Sequence, residues 1–314
     1  MIDPIESLCH VGIIHPMAYP DAATGEGPVV LESLGHILRD DFFTAVEVTR
    51  INDPAMRRQA RQMLDTAHVD VIFAGQPPLL GRKLSLNDPQ DAKRKQAVDE
   101  CKLSVDMAYE LGARILAVLS GPDPGDAGRE RAVELLVDSL GQLCAYAQEK
   151  GEDYQLAVSL ETFDRAVDKR CLIGSTPLAA QVATAVKQHY SNFGLTIDLS
   201  HQPLLGETPH DMVIAAIDHL IHVHIGNCFT SEKAHPAYGD QHPRFGLPGG
   251  ENDIPEVARF IEALIYAGYF KKNVPTSRPV VSFEVKPLPG EQPELVIANA
   301  KRVLREAWAR LGQG

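Results

Sequence analysis

Short apolar runs alternate with longer amphipathic segments along almost the whole chain. Most of the short runs are nearly continuous stretches of Val, Ile, Leu and Ala, which is typical of strands buried on both faces of a parallel sheet. We therefore predict eight strands, at residues 10–14, 45–49, 69–74, 114–119, 155–160, 194–197, 220–225 and 279–283.

Helical patterns fill the intervals between these runs, and their ends carry capping signals. Asp53, Thr176 and Thr208 each precede a proline, as an N-cap residue precedes a first-turn proline. Gly112 and Gly151 follow helical patterns as C-cap glycines do. We predict helices near residues 54–68, 87–111, 128–150, 177–190, 209–219, 253–267 and 293–311.

The regular alternation, with no linker or change of composition, predicts one (β/α)₈ TIM barrel over residues 1–314. The alternative is an open doubly wound sheet, which usually has a glycine-rich phosphate turn after its first strand. Residues 15–20 read HPMAYP instead, so we favour the barrel. Segment 226–250, after the seventh strand, is too long for a plain connector and predicts a long loop at that position.

Acidic residues outnumber basic ones, 42 to 30, which gives a formal net charge of −12. This balance argues against a nucleic-acid partner, because such proteins usually carry a basic surface. No apolar run is long enough to span a membrane, no signal peptide is recognisable, and the five cysteines show no CxxC spacing. We therefore expect a cytoplasmic protein with reduced thiols that binds neither nucleic acid nor membrane.

Metal-binding residue types fall on four consecutive predicted strands. Glu161, Asp198 and Glu284 follow the fifth, sixth and eighth strands, and His224 lies near the end of the seventh. In a TIM barrel these strand ends meet at one rim, where three carboxylates would repel one another unless they were protonated or bound a cation. One imidazole and three carboxylates suit Mn²⁺, Mg²⁺, Co²⁺ or Zn²⁺. We predict a divalent metal site at Glu161, Asp198, His224 and Glu284.

A second group of candidate residues follows the sixth and seventh strands. His201 completes a DxxH motif with Asp198, and the long loop contains a DxH pair, Asp240 and His242. His201, Asp240 and His242 would form a second metal site if alternate residues of an extended chain point the same way. Alternatively, His201 binds substrate and the DxH pair braces the loop. His222 lies two residues before His224, one layer deeper in the barrel.

These motifs together resemble those of the xylose isomerase-like TIM-barrel superfamily. That superfamily includes sugar isomerases and epimerases, hydroxypyruvate isomerase, inosose dehydratase and endonuclease IV. The resemblance implies a metal held by Glu161, Asp198, His224 and Glu284. In the ketose 3-epimerases the two glutamates also exchange protons with the substrate, a histidine matching His201 contacts it, and an arginine after the seventh strand binds its hydroxyls. Arg244 is the candidate for that arginine.

The sequence departs from two of these relatives. The epimerases have a further glutamate six residues after the first, where this chain has Val167. Endonuclease IV takes two zinc-binding histidines from its third and fourth strands, whereas those ends here read GQPP, at 75–78, and SGPD, at 120–123. The incomplete zinc set and the acidic charge make a DNA repair endonuclease a less favoured function.

We expect an isomerase or epimerase of a sugar or keto-sugar that transfers a proton through a metal-stabilised enediolate. Mn²⁺ is the expected ion. The alternative is a metal-dependent lyase on a keto-sugar, either an inosose-type dehydratase or the catalytic subunit of a C-glycoside deglycosidase. The substrate is expected to be a small sugar, unphosphorylated because no phosphate cradle is evident. We expect a homo-oligomer, or a hetero-oligomer with a small subunit for a deglycosidase.

Overall fold

Eight parallel strands alternate with helices in the computed structural model of the protein, which describes residues 4–312. Each predicted strand is present, although the boundaries shift by a few residues. The strands are β1 (His10–Ile13), β2 (Ala45–Val48), β3 (Asp70–Ala74), β4 (Ile115–Leu119), β5 (Ala157–Glu161), β6 (Phe193–Asp198), β7 (Leu220–Gly226) and β8 (Val280–Glu284).

The strands pair in the order β1-β8-β7-β6-β5-β4-β3-β2, and every registered pair is parallel. A single isolated bridge between Ile14 and Glu47 joins the two end strands and nearly closes the barrel. The fold is therefore a TIM barrel, as predicted, and the doubly wound alternative is excluded. Strands β4 to β8 are buried along their whole length, because helices cover the outside and side chains fill the inside.

Helices connect successive strands, and several of them are short. The helices are α1 (His15–Ala18), α2 (Val29–Leu38), α3 (Pro54–Ala67), α4 (Gln76–Arg82), α5 (Asp91–Leu111), α6 (Asp126–Lys150), α7 (Thr176–Lys187), α8 (His201–Leu205), α9 (Pro209–Ala216), α10 (Ile254–Tyr266) and α11 (Pro293–Leu311). The sequence pattern did not predict α1, α2, α4 or α8. No helix within residues 4–312 is long and apolar enough to cross a membrane.

Most of the predicted helix caps are present, with one correction. The carboxylate of Asp53 accepts a hydrogen bond from the Met56 amide at 2.7 Å, and Gly112 adopts a left-handed conformation with φ 77°. Gly151 is the C-cap of α6, as predicted, and its amide donates to the carbonyl of Ala147. The N-cap of α7 is Ser175, so Thr176 is the first helical residue instead of the cap.

The long loop predicted after β7 extends from residue 227 to residue 253 and is anchored to the barrel. Phe229 forms isolated bridges to Gly239 and Gly250. The side chain of Asn252 donates to the carbonyls of Leu199 and Gly226 at 3.2 and 3.0 Å. These bonds fix both ends of the loop beside the C-terminal rim. The five cysteines are free and buried, consistent with structural thiols.

Candidate active site

Four predicted side chains meet at the C-terminal ends of β5 to β8. One ligand atom from each of Glu161, Asp198, His224 and Glu284 lies within 4.8 Å of the others. Nδ1 of His224 is 3.1 Å from Oε1 of Glu161 and 2.9 Å from Oε2 of Glu284. The four residues are at most 9% exposed. Asp198 is level with His224 and Glu284 is level with Gly226, and the shared direction of the strands brings all four positions to one rim as a candidate metal-binding site.

Two of these carboxylates are held by neutral donors. The side-chain amide of Gln76, at the start of α4, donates to Oε2 of Glu161 at 2.6 Å. Asp198 accepts from the backbone amide of Ser200 at 2.7 Å and from its hydroxyl at 2.6 Å. Such donors fix the orientation of a carboxylate without removing its charge. Gln76 therefore contributes at the third strand end, where endonuclease IV is expected to have a histidine.

A buried glutamate on β2, which sequence reasoning missed, lies beneath the rim. Oε1 of Glu47 accepts from Nε2 of His222 at 2.7 Å, and Oε2 lies 3.2 Å from Nε2 of His224. Burial alone would raise the pKa of Glu47, but the two imidazoles reverse the effect and lower it. Because Nε2 of His224 faces Glu47, its Nδ1 faces the rim carboxylates, as in a carboxylate–histidine–metal arrangement.

Glu47→Gln is expected to weaken divalent-metal binding by about 10- to 100-fold, because Nε2 of His224 loses the charged acceptor that sets its tautomer. Calorimetric titration of the metal-free variant with Mn²⁺ measures this change. The thermal midpoint of the metal-free variant serves as the control for folding. Unchanged Mn²⁺ affinity in a folded variant would show that Glu47 does not act through His224.

The second group of candidate residues, His201, Asp240 and His242, also comes together, beside Asp198. Ligand atoms of Asp198, His201 and His242 lie within 4.8 Å of one another. Oδ1 of Asp240 is 3.0 Å from Nε2 of His201 and 2.9 Å from Nε2 of His242. Nδ1 of His201 is bonded to the carbonyl of Thr162 at 2.6 Å, so its Nε2 is the nitrogen that faces the cluster.

The DxH pair reaches this position by a turn and not by extended chain. His242 has φ 49°, in the left-handed region that side chains with a Cβ rarely adopt. Its carbonyl accepts the amide of Lys286 at 2.7 Å, which fixes the turn against the segment after β8. Strain of this kind at a rim position is typical of functional sites.

The electrostatics of the two groups suit bound cations. The short contacts of Asp240 lack hydrogen-bond geometry, so both its carboxylate oxygens and Nε2 of His201 are buried without hydrogen-bond partners. Burial opposes protonation of both histidines, but the surrounding carboxylates raise the pKa of His201 to about 10 and that of His242 to about 9. Burial also raises the pKa of Asp198. Protons thus supply the positive charge that a cation would otherwise supply.

A cavity of about 360 Å³ opens above the rim. Glu161, Asp240, His242 and Glu284 contribute to its wall, together with apolar residues such as Met17. Lys169 and Lys286 also line it, and sequence reasoning singled out neither. Arg244 does not line this cavity, because its Nε is paired with Oε1 of Glu291 at 3.0 Å. A substrate contact for Arg244 stays a prediction without support from this geometry.

Fold and rim together define a (β/α)₈ barrel with a candidate metal site at the C-terminal ends of its strands. The model of the xylose isomerase-like TIM barrel family matches residues 39–307. The chain belongs to this family. No curated protein matches the chain by sequence.

Solved structures share the fold at low sequence identity. A D-tagatose 3-epimerase-like protein is 18% identical, with TM-score 0.69 over 96% of this chain and 99% of that one. An IolI protein with a bound zinc atom is 14% identical, with TM-score 0.69 over 96% and 98%. The 3-keto-D-glucoside 4-epimerase YcjR from E. coli is 15% identical, with TM-score 0.64 over 94% and 98%.

Proposed function

We propose that the protein is a divalent-metal-dependent isomerase or epimerase of a ketose or keto-sugar. One observation carries the proposal: Glu161 and Glu284 both line the cavity and both approach Nδ1 of His224, within 3.1 Å. Two carboxylates beside one candidate cation site are the arrangement needed to remove a proton and return it at another position. Sugar epimerases among the structural neighbours agree with this assignment.

The proposed metal ligands are Glu161, Asp198, His224 and Glu284, and the donor set, three carboxylates and one imidazole, fits Mn²⁺. The bound ion would supply Lewis acidity toward the sugar oxygens. The protein that binds zinc among the neighbours makes Zn²⁺ the main competitor for this site. His201, Asp240 and His242 are proposed either to hold a second ion or to orient substrate hydroxyls.

Glu161 and Glu284 are proposed to move the proton. One carboxylate takes the proton from the carbon beside the carbonyl, and the same or the other returns it. Return to the opposite face gives an epimer, and return to the neighbouring carbon gives an isomer. Gln76 holds Glu161 in place by donating to its Oε2 at 2.6 Å, and both glutamates face the cavity where the substrate would bind.

Proton exchange with solvent tests the proposal. The purified protein is stripped with a chelator, reloaded with Mn²⁺, and incubated in D₂O with D-tagatose, D-psicose, D-fructose or L-ribulose. Deuterium should enter at least one ketose beside the carbonyl, and the metal-free protein should show no exchange. Failure to bind a divalent ion, or equal exchange with and without it, would overturn the proposal.

A keto-sugar lyase is the second candidate. Two observations favour it: Val167 stands where the epimerases are expected to have a further glutamate, and apolar side chains such as Ile14, Met17 and Leu80 line the cavity beside the carboxylates. Such a wall would accept an apolar leaving group. Release of the aglycone from a 3-keto-glycoside, without deuterium exchange into free ketoses, would favour this function.

A further inference from the structure

Two lysine side chains line the candidate active-site cavity, although the chain as a whole is acidic. Lys169 lies in the loop after β5, and Lys286 follows β8 two residues after Glu284. Neither participates in the proposed proton transfer. Both are half-buried, so their ammonium groups carry a partial desolvation cost that an opposite charge would offset.

The loop that presents Lys169 is held by a buried carboxylate. Asp164 accepts the backbone amides of Val167, Asp168 and Lys169 at 2.5, 2.8 and 2.6 Å. Nζ of Lys169 then lies 3.0 Å from Asp168 and 3.4 Å from Oδ2 of Asp240. The ammonium is therefore fixed beside the DxH loop, with its charge already shared between two carboxylates.

Lys286 is also anchored through its backbone, but unlike Lys169 its ammonium group is not paired with a carboxylate of the described residues. Its amide donates to the carbonyl of His242 at 2.7 Å. Across residues 4–312, its ammonium forms no ion pair with a carboxylate, whereas Arg244 nearby is paired with Glu291. Lys286 also borders an adjoining cavity of about 510 Å³, which shares Pro20 and Gln241 with the first. It stands at the junction of the two spaces.

We propose that the substrate carries an anionic group, a carboxylate or a phosphate ester, that binds Lys286 with Lys169 as the second cation. This inference rests on the proposed function and narrows its substrate class to ketoses with a negative charge remote from the reacting carbons. The candidate metal site would take the hydroxyl and carbonyl oxygens, and the lysines would bind the charged end. A carboxylate would agree with the expectation of an unphosphorylated sugar, whereas a phosphate ester would depart from it.

Matched ligands test the inference by binding alone. The full-length protein, with and without Mn²⁺, is titrated calorimetrically with D-fructose, D-fructose 6-phosphate and D-fructuronate. At least one anionic ketose should bind at least about 10-fold more tightly than D-fructose, as expected for a charge-assisted contact. The tighter-binding anion shows whether the site prefers a phosphate or a carboxylate. If neither anion binds more tightly than D-fructose, the inference is wrong.

Variants test whether Lys286 causes the preference for anionic ketoses. Lys286→Gln should reduce the ratio of the anionic to the neutral affinity to about 2-fold or less, and Lys169→Gln should reduce it partially. Lys233→Gln removes an exposed lysine of the long loop after β7, which does not line the cavity, and should leave the ratio unchanged. Persistence of the ratio in a folded Lys286→Gln variant would overturn the inference. If the protein prefers anionic ketoses but catalyses no deuterium exchange, only the proposed function is overturned. If it catalyses exchange but does not prefer anionic ketoses, only this inference is overturned.

Discussion

Glu161→Gln and Glu284→Gln are each expected to slow deuterium exchange into a ketose substrate by about 10²- to 10⁴-fold, the usual contribution of a positioned acid or base. Glutamine matches glutamate in size, so the cavity keeps its shape, but the amide cannot accept and return a proton. The rate of deuterium incorporation, measured by mass spectrometry, checks this prediction.

The same substitutions weaken a proposed metal ligand, so the assay must separate the two effects. Each variant is assayed at Mn²⁺ concentrations above its own measured Kd. Glu232→Gln, at an exposed position in the long loop, is the matched control and should exchange at the wild-type rate. Near-normal exchange in either rim variant would remove that residue from the proton-transfer pair.

Mn²⁺ affinity is expected to rise steeply between about pH 6 and pH 8, by up to about tenfold per pH unit for each proton displaced. Without metal, the carboxylates raise the pKa of His224 well above its ordinary 6.5 against the effect of burial, and His201 and His242 stay protonated to about 10 and 9. A cation must therefore expel protons in this range.

Calorimetry in two buffers of different ionisation enthalpy measures both the affinity and the protons released. His210→Gln, at an exposed histidine on α9, is the control and should show the wild-type pH dependence. Affinity that does not change with pH would show that these histidines do not face the bound ion.

The stability of the metal-free protein should change in the opposite direction with pH. A histidine whose pKa is raised by folding contributes stability that is complete below its ordinary value of 6.5 and is lost as pH rises through its folded value. The thermal midpoint of the metal-free protein should thus fall between about pH 7 and pH 10, while the Mn²⁺-loaded protein resists the change.

Strand-end positions could be predicted from the sequence because the geometry of parallel strands is simple. A residue such as Asp198, at the end of an apolar run, reaches the rim because the C-terminal ends of all the parallel strands lie on one side of the barrel. Contacts that depend on loop conformation could not be predicted in this way. The side chain of Arg244 is paired with Glu291. Lys169 reaches the cavity because Asp164 accepts backbone amides of the loop that carries it.

Glu47 was missed for a different reason, although a signal was present. The run AVEV was interpreted as an ordinary strand, yet a glutamate in a strand buried on both faces requires a buried partner. His222 had the same requirement, but the two lie on non-adjacent strands, and the sequence does not show which side chains share a layer inside the barrel. The short helices α1 and α8 were not predicted, because four or five residues are too few to show a helical hydrophobic period.

Glu47 also closes the seam between β1 and β2, where an isolated bridge to Ile14 and a bond from the Thr44 amide to the Val11 carbonyl replace the continuous ladders of the other strand neighbours. We therefore expect the barrel wall to open most readily beside Glu47, the residue that supports His224. Amide hydrogen exchange along this seam should slow when metal is bound, because holding the histidine also holds the strand. Opening of the barrel wall and loss of the ion would then be one event.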